Sequence, residues 1–250
     1  MGIEDLSIIE SQWRVRLSED PAPALFDGIG ARLSQYYCGA DIERESVNRD
    51  LIGFAKAFVG WSADPKSDER IREIYACAGE DEERTRIVRS CFGTYGPYRV
   101  GHGDTDTNLA QTLIGEPLGV QKMHARMHHR GRHEALFYTP WPSVVEILCQ
   151  NPSIHERDIL FMAARRPTQN CLLEAILMSR WASSPEIRFA LASNPYFNVG
   201  HALRCASTLN RKYLRDLSQS PDVHGFVRDH ALGLLALRSN CSKSYESKGT

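Results

Sequence analysis

The apolar positions of this chain fall at helical spacing almost from end to end. Leu6, Ile9, Trp13 and Leu17 follow one another at steps of three and four, with Glu10, Gln12 and Arg14 on the other side, which predicts an amphipathic helix. Leu25, Ile29, Leu33 and Tyr36 form a second stripe after Pro21 and Pro23, and Gly39 stands where a left-handed cap would stop it. A third stripe uses Val47, Leu51, Phe54 and Phe58. Shorter ones follow at Ile71, Ile74 and Ala78 and at Ile87, Val88 and Cys91, closed by Gly79 and Gly93. No stretch alternates as a strand would, so the pattern predicts an all-α protein.

Residues 93–106 hold four glycines and a proline and interrupt the pattern, which marks them as a connecting loop between an N-terminal helical region, 1–92, and a second region, 107–238. Beyond that loop the punctuation is regular. Ser153 with Glu156 three residues on has the form of a capping box, and Ser184 followed by Pro185 and Glu186 is a second helix start. Laying Asn151-Pro152 on Asn194-Pro195, an offset of 43 residues, brings Val144 onto Ile187, Leu148 onto Leu191, Ile154 onto Phe197, Leu160 onto Leu203 and Ala163 onto Ala206. A fainter copy begins at Glu116-Pro117, with Leu113 in the place of Leu148. A period of about 40 to 47 residues with two or three short helices is that of HEAT and armadillo units, which bury their apolar faces by stacking. The fold expected is therefore a right-handed α-solenoid in the C-terminal half with the N-terminal helical region packed on it. Ser239–Thr250 lack periodic apolar residues and are expected to be a disordered tail.

The segments Pro142–Pro152, Glu156–Pro167 and Ile187–Pro195, with their Leu-x-x-Asn-Pro joins and the Ala-Ala-Arg-Arg-Pro helix end, resemble bacterial α-helical repeat proteins of the HEAT-like, leucine-rich-repeat-variant kind. The resemblance spans roughly residues 108–238. It implies a fold and a habit of binding macromolecules, and it brings no catalytic residues with it. The four clustered cysteines that accompany an iron–sulfur module in some proteins of that kind do not occur here.

Charge adds a polarity to this picture. The net charge of −1 divides into −8 over residues 1–119 and +7 over residues 120–250, and eight of the nine histidines lie in the second part. The polarity arises by chance, or the two halves pair with each other, or a basic face meets an acidic partner. The seven cysteines are scattered without a Cys-x-x-Cys pair and read as reduced thiols. With no signal-like start and no long apolar run, the expectation is a cytoplasmic protein that does not span a membrane.

Chemistry is sparse. His124 and His128, one helical turn apart, are candidates for a shared metal. Lys122, Arg126, Arg130 and Arg132 around them would repel a cation, so neither a metal nor another cofactor is expected. Phe137 and Ile159 stand where a zinc-protease motif would need its second histidine, and no phosphate loop, dinucleotide fingerprint or nucleophile elbow is present. No enzyme and no small-molecule ligand are expected. Arg165, Arg166, Arg188, Arg204, Arg211, Lys212 and Arg215 recur on the repeat helices, and stacking could align them as a binding stripe. Two functions follow. The first is a protein–protein interaction scaffold using the repeat groove and aromatics such as Trp141, Trp181 and Tyr196. The alternative is nucleic-acid binding through the basic stripe.

Overall fold

A computed structural model describes residues 3–39, 41–79, 81–101, 116–128 and 130–246 of the chain. Among these residues there are 14 α-helices, one short 3₁₀ turn and no strand. The N-terminal helices are α1 (Ile3–Glu19), α2 (Ala22–Cys38), α3 (Asp41–Trp61), α4 (Ser67–Ala76) and α5 (Glu82–Cys91). After the glycine-rich stretch come α6 (Leu118–Arg126), α7 (Arg130–Leu136), α8 (Pro142–Gln150), α9 (Glu156–Ala164), α10 (Asn170–Met178), the 3₁₀ turn (Arg180–Ser183), α11 (Pro185–Ser193), α12 (Val199–Ala206), α13 (Arg211–Gln219) and α14 (Gly225–Glu246). Helices α11 and α12 begin 43 positions after α8 and α9, while α13 begins 41 after α10. The fainter copy proposed at Glu116-Pro117 has α6 at its second helix, and Leu113 lies outside the described residues.

Most predicted stripes point inward. Trp13, Leu17, Leu25, Ile29, Leu33, Leu51, Phe54 and Phe58 are buried, and Ile74, Ile87, Val88 and Cys91 join them in one core with the repeat helices. In α2 the stripe ends on Tyr37, which is 2% exposed, whereas Tyr36 is only half-buried. Ser184 caps α11 as expected, accepting from the Ile187 N–H at 3.4 Å. The start of α9 differs from the sequence reading. His155 takes the cap position, and Asp158 accepts its backbone N–H at 3.0 Å, two residues beyond the expected Ser153–Glu156 pair. Ser153 instead donates its N–H to Asn151 Oδ1 at 2.8 Å, leaving it in the turn before the helix. The expected tail is likewise displaced, since α14 continues to Glu246; residues 247–250 lie outside the described part.

Helix ends are closed in an unexpected way. Gly39 has φ −76° and ψ 171°, and no described residue has positive φ, so the left-handed cap expected there is not used. The last carbonyls of a helix need donors all the same. Side chains from other elements supply them. Asn151 Nδ2 donates to Ala125 O and Met127 O (2.7 and 2.9 Å) at the end of α6, and Asn194 Nδ2 donates to Ala163 O and Arg165 O (2.8 and 3.1 Å) at the end of α9. Each Asn-Pro is thus a staple, joining the end of α8 to the end of α6 and the end of α11 to the end of α9. Arginines do the same at other ends. Arg89 donates to Cys77 O (2.7 Å), Arg165 to Phe137 O (2.7 Å) and Arg166 to Ser193 O (2.7 Å).

The glycine-rich stretch does not hold two bodies apart. Its described part lies along the Asn194–Asn198 turn, with Arg99 N–H donating to Pro195 O (2.8 Å) and Val199 N–H donating to Gly96 O (3.2 Å). A Cβ on Gly200 would stand 2.2 Å from Gly93 O, and one on Gly101 would stand 1.8 Å from Thr168 O, so glycine is required at both contacts. Helices α3 and α5 pack on α12, and α2 and α5 pack on α14, so the described N-terminal helices share their core with the later ones.

Replacing Asn194 with Ala should lower unfolding free energy by about 2 kcal/mol, because two buried carbonyls lose a donor. Urea titration of the variant checks this. An unchanged midpoint would mean that the staple carries no stability.

Candidate functional site

The seven basic residues expected to form a stripe divide into two groups. Arg188 and Arg204 are each 2% exposed, which removes them from any surface. Arg188 donates to Ala182 O (2.6 Å) and Ser183 O (2.8 Å). Arg204 donates to Cys91 O (3.0 Å) and Gly93 O (3.1 Å) at the end of α5, while its guanidinium lies 4.1 Å from the Phe58 ring centroid. Arg165 is half-buried on Phe137 O, and the exposed Arg166 is paired with Asp222 at 3.4 Å. Arg211, Lys212 and Arg215 are exposed on α13. A continuous stripe of seven therefore does not form: Arg188 and Arg204 turn inward to carbonyls of neighbouring elements.

The histidine cluster also separates. His124 is 5% exposed, with Arg132 Nη1 2.8 Å from its Nε2 and Glu116 Oε2 3.6 Å from the same atom. His128 Nδ1 meets Ser153 Oγ at 2.7 Å, and His133 Nε2 donates to Met127 O at 2.7 Å. His129 lies outside the described residues. Among the described residues no three His, Cys, Asp or Glu side chains gather as a metal site. No described helix is long and apolar enough to cross a membrane.

Of the cysteines, Cys77, Cys91, Cys149, Cys171 and Cys205 are free, but Cys38 is disulfide-bonded, which corrects the expectation that all seven are reduced. Burial pushes the thiols of Cys91 up to about 11 and of Cys149 and Cys205 up to about 12, so they stay protonated and weakly nucleophilic. Cys91 Sγ, Ser207 Oγ and His230 Nε2 form a chain (3.4 and 2.8 Å) that has the residue types of a nucleophile and base. All three are buried in the core. They bind α5, α12 and α14 together.

What the sequence could not show is a cleft of about 870 Å³ between α1 and α3 on one side and α8, α10 and the 3₁₀ turn on the other. Its apolar surface comes from Leu6, Ile52, Ala175 and Met178, and its charges from Glu10, Glu45 and Glu146 against Arg49, Lys56 and Arg180. Lys56 is matched by Glu10 at 3.3 Å. Two polar atoms in the lining, Asn48 Oδ1 and Arg180 Nε, are buried with no hydrogen-bond partner. Trp181 beside it plugs the junction, donating from Nε1 to Cys149 O at 2.9 Å, and Tyr196 is half-buried. Of the three aromatics expected at a binding surface, Trp141 is the exposed one, at 45%. A second apolar surface, also missed, gathers Tyr95, Tyr98 and Phe226 around His224, with Tyr98 and Phe226 each 55% exposed. It joins two short segments far apart in sequence, 95–98 and 224–226.

Comparison with family models, curated proteins and solved structures found no match.

Two buried imidazoles set an acid limit on this architecture. Burial lowers His201 to about 4, with nearby Arg204 adding to the effect and the Glu174 hydrogen bond at 3.2 Å opposing it. Burial also would raise the Glu174 carboxyl, but its bonds to His201 and Asn170 outweigh that and hold it below its ordinary value. His230 is lowered to about 3, by burial first and by Arg86 second. Both imidazoles start from 6.5 when unfolded, so below that pH the unfolded chain binds protons that the native fold refuses. Their contribution is complete above about 6.5 and is lost as pH falls towards 4 and then 3. Urea midpoints measured between pH 7 and 4 should fall steadily, and His230→Gln should flatten the decline. Equal slopes for variant and native protein would exclude His230 as a source.

Proposed function

We propose that this protein is a non-enzymatic protein-interaction scaffold, built on a short right-handed stack of HEAT-like helical units, that receives a segment of its partner in the cleft between α1/α3 and α8/α10. The observation that carries this reading is the cleft itself. Its volume of about 870 Å³ lies in the roughly 300–1,000 Å³ range of ligand pockets, and its lining combines apolar side chains with polar atoms that have no internal partner. Leaving a buried donor or acceptor unmade costs about 1–3 kcal/mol, so such atoms favour a bound state that satisfies them. The 43-residue spacing of two helix pairs supports the solenoid reading, since stacked units present a continuous surface to a partner. The resemblance of residues 108–238 to HEAT-like repeat proteins points the same way, and a cytoplasmic location accords with it.

Nucleic-acid binding remains the second reading, supported by the exposed Arg211, Lys212 and Arg215 on α13. Two observations weaken it: Arg188 and Arg204 are interior, and Arg166 is already paired with Asp222.

Ser183 and Gln150 are exposed residues on the cleft wall, so Trp at either position fills the opening without entering the core. In affinity capture followed by mass spectrometry, Ser183→Trp and Gln150→Trp should each lose partners that the native chain and Lys212→Glu retain. Partners retained equally by all four proteins would overturn the cleft as the binding surface. In a parallel anisotropy titration with single-stranded DNA and RNA, binding at low salt that disappears on neutralising Arg211, Lys212 and Arg215 would favour the second reading instead.

A further inference from the structure

Resting on the reading of the cleft as the partner site, we propose that the bound segment is an extended peptide anchored by an acidic side chain, its carboxylate held by Arg180 and one of its backbone N–H groups donated to Asn48 Oδ1. The three cations in the cleft differ in what they already have. Lys56 is paired with Glu10 at 3.3 Å, and Arg49 has a partner of its own. The guanidinium of Arg180 makes no hydrogen bond or ion pair with a described residue. It lies over the Trp181 ring at 4.7 Å from the centroid, and its Nε is buried without an acceptor. Trp181 is held in turn by its bond to Cys149 O.

This arrangement suits a carboxylate. Stacking on an aromatic face fixes the guanidinium plane and leaves its in-plane N–H groups free, and those groups match the two oxygens of a carboxylate in a bidentate pair. A phosphate would bring a larger negative charge towards Glu10, Glu45 and Glu146, which share the cleft.

Asn48 makes the complementary demand. Its buried Oδ1 accepts hydrogen bonds only, so the ligand must carry a donor as well as its anion. A peptide supplies both, with an N–H from its backbone and a carboxylate from Asp or Glu. Helix α3, which carries Asn48, packs against the 3₁₀ turn that carries Arg180, so one ligand spans the two. Leu6, Ile52 and Met178 provide apolar contact for the neighbouring side chains of the segment.

The test uses the full-length chain and three pools of fluorescein-labelled, C-terminally amidated hexapeptides, randomised except for one central position fixed as Glu, Gln or Lys. Fluorescence polarisation should show the Glu pool binding at least tenfold more tightly than either other pool. Arg180→Gln, with an unchanged melting temperature, should bring the Glu pool down to the Gln level, and Asn48→Leu should weaken all three pools alike by several-fold. Arg166→Gln, remote from the cleft, should change nothing. Equal affinity for the Glu and Gln pools, or a Glu preference that survives Arg180→Gln, would overturn the carboxylate assignment. If Ser183→Trp still abolished that binding, the cleft reading would stand without it. Failure of every pool to bind would overturn both.

Discussion

Helices that end without a left-handed residue leave carbonyls pointing out of their last turn, and in this protein those carbonyls are satisfied by side chains reaching across from other elements. Arg204 shows the physics most clearly. Its charge sits in the core with no carboxylate beside it, and two carbonyls at the negative end of α5 take the place of a counter-ion. Such a bond cannot form until both elements are in position, so each one reports and enforces a tertiary contact. Arg89, Arg165, Arg166 and Arg188, together with Asn151 and Asn194, repeat the device along the chain. A left-handed glycine cap would have satisfied its own helix and carried no such information.

The N-terminal layer is fastened to the repeats by the same kind of bond. Tyr36 donates to Thr208 O and Tyr37 to Ser207 O, each at 3.1 Å, so the end of α2 meets the carbonyls that follow α12. Arg204 ties α12 back to α5, and His201 on the same helix reaches Glu174 on α10. Helix α12 is consequently held from three sides. The cleft lies within this packing: α1 and α3 line one wall and α8, α10 and the 3₁₀ turn the other, while α3 is held at α12, α10 and the 3₁₀ turn. A site assembled from helices far apart in sequence inherits its shape from the buried arginines and tyrosines behind it.

The helices were legible in the sequence because their signal is local. A stripe such as Leu25, Ile29 and Leu33 needs only the helical period, and the serine at 184 needs only the amide of Ile187. The 43-residue offset was legible for the same reason, although the role of its most conspicuous pair was not. Asn-Pro read as punctuation, whereas Asn151 and Asn194 act on carbonyls 24 to 31 residues earlier. Arginine defeats sequence reading more thoroughly. Its long stem lets the guanidinium reach water or a distant carbonyl from a similar helical position, so Arg188 and Arg215 look alike in the sequence and end in opposite environments. The cleft was invisible because Asn48 and Arg180 acquire their meaning from a partner each lacks, and a missing partner leaves no pattern.

The opposite charges of the two halves take on a different meaning in this light. One reading of the sequence is that −8 and +7 cancel by pairing between the halves. The ion pairs between described residues are instead mostly short-range, as in Arg14–Glu10, Arg70–Glu73 and Arg86–Glu83, and the longer Lys56–Glu10 and Arg166–Asp222 pairs also stay within their own half. The interior arginines spend their hydrogen bonds on carbonyls, which are neutral groups and leave the net charge in place. Each half therefore keeps its net charge on folding, and at physiological ionic strength the field of exposed charges is screened over about 8 Å. At the cleft the charges are mixed, with Glu10, Glu45, Arg49 and Lys56 on the wall of α1 and α3 and Glu146 and Arg180 on the wall opposite. Among the described lining residues Arg180 is the cation left without an internal hydrogen bond or ion pair, and an incoming carboxylate meets it on the wall across from Glu10 and Glu45.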